Sequence, residues 1–160
     1  MTDGCLLAAR ENGAYVLRLV GDVRMNLCTT LEDFVQGMLS DPGFATVWLD
    51  VCEAEGIDST TLGQLAQLAL EVRRRHGFRP AIYSCNPSIS RLLRSMGFHQ
   101  LFELHDGPCG FAGAVDSVPV VEGSTELVRD QVLSAHQTLM SLNDENRARF
   151  SDLVEVLKQA

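Results

Sequence analysis

The sequence has little basic charge and no apolar run long enough to cross a lipid bilayer. Thirteen Lys and Arg residues stand against 21 Asp and Glu residues, which gives a formal net charge of −8. Nucleic-acid binding requires clustered basic residues that neutralise phosphates. The basic run Arg73-Arg74-Arg75 lies where a helix is predicted to end, and it is expected to complement the helix dipole there. We therefore expect neither nucleic acid nor a membrane among the partners of this chain.

Motifs that hold nucleotides or mark common hydrolases are also missing. The sequence contains neither G-x-x-x-x-G-K-[ST] nor G-x-G-x-x-G, and it has no G-x-S-x-G nucleophile motif. The first residues, TDGCLLAARENGA, have no basic segment followed by a long apolar one, so they do not predict a secretory signal. These observations predict a cytoplasmic protein that carries no cofactor.

The five cysteines are spread widely along the chain and form no C-x-x-C motif. An odd number of cysteines at such spacing predicts neither a disulfide framework nor a zinc site, so we expect no bound metal. Cys28, Cys52 and Cys85 lie in or beside apolar segments and are expected to be small buried side chains. This use of cysteine is typical of a reducing cytosol.

The sequence does contain a regular alternation of short apolar runs and amphipathic segments. Period-2 and continuous apolar runs predict strands, and apolar residues at i, i+3, i+4 and i+7 predict helices. The resulting strands cover residues 13–20, 46–51, 79–85 and 101–104, and the helices cover about 30–39, 59–76 and 87–96. We expect Thr30 to cap the first helix, with Asp33 closing a capping box. The order predicts an α/β fold with a mixed sheet of about four to five strands packed with helices.

After residue 105 the composition changes. Residues 106–124 are rich in Gly, Pro and small side chains and predict a linker. Residues 125–160 then show two amphipathic helices, the second opening near Ser141, which together predict a C-terminal helical hairpin beyond the domain of residues 1–105. Two such helices are too small to stand alone. We expect them to pack on their own domain first of all, with a homodimer or another partner protein as open alternatives.

The entrance of the helix at 59–76 carries an unusual set of polar residues, Asp58-Ser59-Thr60-Thr61. Asp58 is well suited as the N-cap, because its carboxylate can accept a hydrogen bond from the backbone N–H of the first turn. Ser59 then occupies the first helical position, where its hydroxyl is not needed for capping and lies at the positive end of the helix dipole. No base in the neighbouring sequence makes this hydroxyl a nucleophile. A partner enzyme could nevertheless reach it.

These residues resemble the STAS domain of anti-sigma factor antagonists. The segment VWLDVCEAEGIDSTTLGQLAQLA (47–69) matches the family's buried strand, short loop and Asp-Ser motif, followed by its apolar helix. YVLRLVGDV (15–23) resembles the family's first strand with its Gly-Asp turn. RPAIYSCNPSISRLLRSMGFHQLFEL (79–104) resembles its later strands and helix. The length and arrangement of the C-terminal helices resemble the longer proteobacterial antagonists of the HsbA type.

The resemblance implies a partner switch controlled by phosphorylation. The family's phosphorylated serine corresponds to Ser59, while Thr60 and Thr61 remain alternative acceptors because Thr61 stands where the commonest family pattern has glycine. The implied partners are an anti-sigma factor, a serine kinase, which in the family is often the same protein, and a phosphatase of the PP2C type. The implied partner-binding residues are Asp58, Ser59, Thr60, Thr61, Gly63 and Gln64.

Two other classes of function stay open from the sequence. An enzyme would use Ser59 or Cys85 with one of the histidines His76, His99 or His105, and it is disfavoured because no motif joins these residues. A scaffold without a switch, dimeric or part of a transport complex, would act through the C-terminal helices, whose apolar faces need a surface to cover them.

Overall fold

A computed structural model describes residues 2–160, in which seven strands form a single mixed sheet. The strand order is β6-β5-β3-β2-β1-β7, and β4 pairs with β2 beside β3. The pairs that join β2, β3, β4, β5 and β6 are parallel, whereas β1 pairs antiparallel with both β2 and β7. The α/β class is therefore confirmed, with more strands than the predicted four to five. The strands are β1 (Cys5–Glu11), β2 (Ala14–Val23), β3 (Thr46–Asp50), β4 (Ala54–Ile57), β5 (Ala81–Ser84), β6 (Glu103–Asp106) and β7 (Asp116–Ser117).

The strands that the sequence did not predict are β1, β4 and β7. β4 and β7 have four and two residues, which is too short for hydrophobic periodicity to detect. β1 forms a hairpin with β2 through Asn12 and Gly13, both of which have positive φ, the backbone of a tight two-residue turn. A Cβ at Gly13 would lie 2.1 Å from the carbonyl oxygen of Gly43, so only glycine fits there. This Asn-Gly pair was a readable signal for the missed strand.

Five α-helices accompany the sheet: α1 (Cys28–Leu39), α2 (Ser59–His76), α3 (Pro87–Ser95), α4 (Thr125–Met140) and α5 (Asp144–Gln159). The predicted bounds of α2 are confirmed, as are its N-cap Asp58 and its left-handed C-cap Gly77. Asn86 caps α3, and Pro87 occupies the first position of that helix, as expected. None of the helices in residues 2–160 is long and apolar enough to span a membrane.

The predicted cap of α1 is wrong, whereas α5 begins close to its predicted start near Ser141. A 3-10 turn over Met25–Leu27 leads directly into α1, which therefore begins before Thr30 and has no side-chain cap. The hydroxyl of Thr30 instead donates to the carbonyl of Val121 and accepts from its N–H, so it fixes the linker. Asn143, rather than Ser141, caps α5, because its side chain accepts from the N–H of Asn146 at 2.7 Å.

The expectation for two of the cysteines is also wrong. Cys52 and Cys85 form a disulfide bond, with their Cα atoms 4.6 Å apart. They follow β3 and β5, which are adjacent parallel strands, so their side chains meet at one edge of the sheet. Sequence spacing carries no information about this meeting. Cys28 is buried as expected, and its burial raises the pKa of its thiol.

The core lies between the sheet and the helices. β2 buries Leu17, Leu19 and Val23 on alternate positions, as a strand with one covered face does. α2 buries Leu65 and Leu68 against the same cluster, and each such side chain contributes about 1.5–3 kcal/mol through the hydrophobic effect. Two residues of the C-terminal helices, Leu139 and Phe150, belong to this cluster as well. The helices α4 and α5 therefore pack on their own domain.

Candidate functional site

The entrance of α2 is fixed by the two oxygens of Asp58. One oxygen accepts from the N–H of Thr61 at 2.9 Å, and the other accepts from the N–H of Met25 at 2.7 Å. The N–H of Asp58 in turn donates to the carbonyl of Val23 at 3.1 Å, which ties the cap to the end of β2. A single residue thus caps the helix and holds the preceding loop. The hydroxyl of Ser59 takes no part in this capping.

The hydroxyl of Ser59 instead meets a histidine from α4. The Oγ atom of Ser59 lies 2.7 Å from Nε2 of His136. The other ring nitrogen, Nδ1, lies 2.7 Å from the carbonyl oxygen of Val132, so it carries the proton and donates to that oxygen. In the tautomer with the proton on Nδ1 alone, Nε2 accepts from the hydroxyl of Ser59. His136 is only 2% exposed and packs edge-on against the ring of Phe150.

The same face of α2 continues below Ser59 at four-residue spacing. A Cβ at Gly63 would lie 2.3 Å from the carbonyl oxygen of Ala135, so α4 approaches the backbone of α2 at this point. One turn later, Nε2 of Gln67 donates to Ser134 Oγ at 3.0 Å and to Thr138 Oγ1 at 3.2 Å. Ser59, Gly63 and Gln67 thus form one continuous strip, called the α2 strip below, and α4 covers it.

The other residues predicted at this site are placed less accessibly. Thr60, Thr61 and Gln64 are 3%, 1% and 6% exposed, whereas Asp58 and Ser59 are half-buried. Nε2 of Gln64 donates to the carbonyl of Cys28 at 2.8 Å, which joins α2 to α1. The structure therefore brings the six predicted residues together at one helix entrance, with Ser59 more accessible than the two threonines.

α4 also contacts α1 through Gln131, which is 5% exposed. Its Oε1 accepts from Thr29 Oγ1 at 2.8 Å and from Cys28 Sγ at 3.2 Å, and its Nε2 donates to the carboxylate of Glu32. Sequence reasoning missed both Gln131 and His136. A signal was present, because the two polar residues fall at four-residue spacing from Ala135 and Val132, on the stripe of α4 that was predicted to be buried.

The acidic residues before α2 are engaged with partners of their own. Arg18 Nε lies 2.9 Å from a carboxylate oxygen of Asp50 and 3.7 Å from one of Glu53. Glu55 accepts from the N–H of Thr2, and this hydrogen bond lowers the pKa of the Glu55 carboxyl. Asp58 is the acid next to Ser59 in the sequence. Its two oxygens already accept hydrogen bonds from the N–H groups of Met25 and Thr61.

The arrangement suits holding a hydroxyl better than activating it. A serine beside a histidine is the geometry of a nucleophile and its base. Here, however, a backbone carbonyl orients the imidazole, and His136 is buried while Ser59 is half-buried, so the base itself does not face a substrate. Cys85, the other candidate nucleophile, is bonded to Cys52. Within residues 2–160, no group of three or more His, Cys, Asp or Glu side chains is arranged to hold a metal ion.

Comparisons with known proteins identify a family for residues 6–108 and a solved structure of similar fold. The family model of the STAS domain matches residues 6–108, which leaves α4 and α5 outside the match. A solved structure described as an anti-sigma factor antagonist from Mycobacterium paratuberculosis superposes with a TM-score of 0.57 at 20% sequence identity. The alignment covers 66% of this chain and 87% of that one. A search of curated proteins found no matching sequence.

Proposed function

Because the chain belongs to the STAS domain family, we propose that it is an anti-sigma factor antagonist that acts in the cytoplasm by partner switching. In this proposal, the form with unmodified Ser59 binds an anti-sigma factor, and phosphorylation of Ser59 releases it. The observation that carries the proposal is that Asp58 alone supplies the cap of α2, while the half-buried hydroxyl of Ser59 takes no part in capping. The role is one of binding, not of catalysis.

The burial of the neighbouring hydroxyls supports Ser59 as the acceptor. Thr60 and Thr61 are almost fully buried, so a kinase would have to unfold the first turn of α2 to reach them. Ser59 is half-buried at the rim of the same turn. Phosphate on Ser59 would lie at the positive end of the helix dipole, where backbone N–H groups favour an anion, so the domain need not refold.

A phosphate on Ser59 would change the free energy of partner binding enough to switch binding on or off. It adds nearly two negative charges and three acceptor oxygens. In an interface centred on Ser59, that group meets a surface shaped for a hydroxyl, and it also lies beside the carboxylate of Asp58. A loss of about 3 kcal/mol in such a desolvated contact lowers affinity roughly 100-fold. A serine kinase and a phosphatase of the PP2C type would then set the state of the switch.

The proposal is tested by mapping phosphate and by comparing baits. The full chain is incubated with candidate serine kinases and ATP, and any phosphate is located by mass spectrometry. We expect it on Ser59. Ser59→Ala and Ser59→Asp baits are then compared for capture of proteins, with Ser88→Asp as the matched control because Ser88 is an exposed hydroxyl in the first turn of α3. Phosphate absent from residues 58–61, together with equal capture by both Ser59 baits, would contradict the switch.

A scaffold without a switch is the second candidate, and the exposed apolar side chains of α4 and α5 favour it. Leu127, Leu153 and Val156 are 42%, 41% and 65% exposed, so these helices still present apolar surface after packing on their domain. A homodimer through them would cover that surface. Light scattering of the full chain measures this directly, and a Leu153→Glu, Val156→Glu double variant should return a dimeric mass to that of a monomer.

A further inference from the structure

The contact between α4–α5 and the rest of the domain contains buried polar side chains as well as apolar ones. Four buried polar residues bond across it: Thr29, Gln131, His136 and Asn146. Asn146 donates to the carbonyl of Met96 at 2.9 Å, which fixes α5 beside α3. Buried hydrogen bonds of this kind are more frequent where packed units within a chain can separate than in a purely apolar core.

One buried acceptor at this contact, Oδ1 of Asn146, receives no hydrogen bond from the residues that the structure describes. A desolvated acceptor without a donor disfavours the state in which it is buried. The docked position of α4–α5 is therefore stabilised by apolar packing of Leu139 and Phe150 and opposed by this unsatisfied oxygen. Such a balance permits release without loss of the sheet.

The docked helix and an external molecule on Ser59 exclude one another. At 2.7 Å between Ser59 Oγ and His136 Nε2, no phosphate and no partner side chain fits between them. At Gly63, the backbone of α4 lies where a Cβ would be, so no second chain can pass there either. The α2 strip is thus completely used by α4 in this structure.

We infer that the α2 strip is a helix-binding surface which the chain's own α4 occupies, and that a partner binds it by displacing the C-terminal hairpin (Thr125–Gln159). The inference rests on the proposed function in taking Ser59 as the switch residue. The partner it fits is a protein that presents an amphipathic helix, with a small residue over Gly63 and polar side chains opposite Ser59 and Gln67, as α4 itself does with Ala135, His136 and Ser134.

Competition within the chain sets how tightly such a partner binds. The apparent affinity of a partner equals its affinity for the open chain multiplied by the fraction of molecules in which the hairpin is displaced. Phosphate on Ser59 would take the place of His136, so it excludes both α4 and a partner helix from the strip, and the modified chain should expose α4 without binding the partner. In the unmodified chain, a partner binds only when it contacts the strip better than α4 does.

The experiment uses a labelled peptide of residues 124–160 as the probe and the full chain as its target. Ala135→Leu enlarges the side chain that faces Gly63, so it should release the hairpin while leaving the α2 strip intact. We expect this variant to bind the wild-type peptide at least about tenfold more tightly than the wild-type chain does. Gln137→Leu, on the exposed side of α4, is the matched control and should bind like wild type.

Hydrogen exchange on the same samples reports where the hairpin is. In Ala135→Leu, and in full-chain protein with phosphoserine installed at position 59, α4 should lose protection while β2 and β3 keep theirs. Unchanged protection of α4 in both proteins would overturn the inference, and so would equal peptide binding by Ala135→Leu and Gln137→Leu with an intact sheet. If Ala135→Leu also unfolds the sheet, His136→Ala replaces it, and peptide binding no tighter than that of Gln137→Leu then counts against the inference.

The outcome is separable from that of the proposed function. Peptide binding that follows these expectations, with equal capture of proteins by Ser59→Ala and Ser59→Asp baits, would leave the inference standing and contradict the switch. Capture of proteins that differs between the two Ser59 baits, with α4 protected from exchange in every variant, would support the switch and contradict the inference.

Discussion

The entrances of α2 and α3 share their local chemistry and differ in what covers them. Each helix follows a parallel strand and begins with an Asx residue whose side chain accepts a backbone hydrogen bond, Asp58 in one and Asn86 in the other. Each carries a serine in its first turn. Ser59 meets the buried His136, whereas Ser88 is exposed. Local sequence thus builds two similar hydroxyl-bearing helix ends, and packing by a distant segment makes one of them controllable.

The largest effect on stability should come from truncating Leu139, the buried apolar side chain by which α4 packs on the domain over α2. Leu139 is fully buried in the shared core, so Leu139→Ala should lower the free energy of unfolding by about 2–5 kcal/mol through lost burial and a cavity. Leu153→Ala, on the 41% exposed side of α5, should change it by less than about 0.5 kcal/mol. Urea denaturation measures both. Equal effects would mean that α4 is not anchored in the core in solution.

The next largest change in the free energy of unfolding should come from replacing Gly63, which α4 covers, and a matched replacement at the uncovered Gly37 serves as its control. Gly63→Ala places a methyl group against the carbonyl of Ala135 and should destabilise the chain by about 1–3 kcal/mol. Gly37→Ala, in the exposed last turn of α1 with nothing within 4 Å of the new Cβ, should stabilise it by about 0.4–1 kcal/mol. Thermal and urea unfolding give the two signs. A stabilising Gly63→Ala would contradict the close approach of α4 to α2.

The two caps should differ by the second hydrogen bond of Asp58. Asp58→Ala loses the bonds from both Thr61 and Met25 and should cost about 2 kcal/mol, at the upper end of the range for caps. Asn86→Ala loses only the bond from Ser88 and should cost about 1 kcal/mol. Urea denaturation of the two variants measures the difference. Equal losses would show that the bond to Met25 contributes nothing.

The smallest effect should lie far from both entrances, at Asp41. Hydrogen bonds from Tyr15, the N–H of Gly43 and Arg10 lower the pKa of the Asp41 carboxyl to about 2. Because the folded pKa lies below the ordinary value of about 3.8, the contribution of this carboxylate to stability is complete above pH 4 and is lost as pH falls through 2. A carboxyl titration by NMR measures the pKa. In Asp41→Asn, the dependence of stability on pH between 4 and 2 should weaken, and an ordinary pKa would refute the proposed hydrogen bonds.

Helix bounds and caps that depend only on residues nearby in the chain could be predicted from the sequence. The bounds of α2, its cap Asp58 and its stop Gly77 follow from residues within one turn, as do Asn86 and Pro87 at α3. The cap at Thr30 failed because a residue 91 positions away, Val121, takes both hydrogen bonds of its hydroxyl. The Cys52–Cys85 bond escaped prediction because it depends on which strands lie side by side.

The sequence by itself determined the fold class, the helix entrance at Asp58 and a hydroxyl there that capping does not need, because these depend on periodicity and on hydrogen bonds within a single turn. Only the tertiary structure decided that this hydroxyl meets His136, 77 positions along the chain, beneath a helix outside the matched family domain. The physical reason is that an amphipathic helix specifies which of its faces is buried and leaves the surface that buries it to packing across the whole chain.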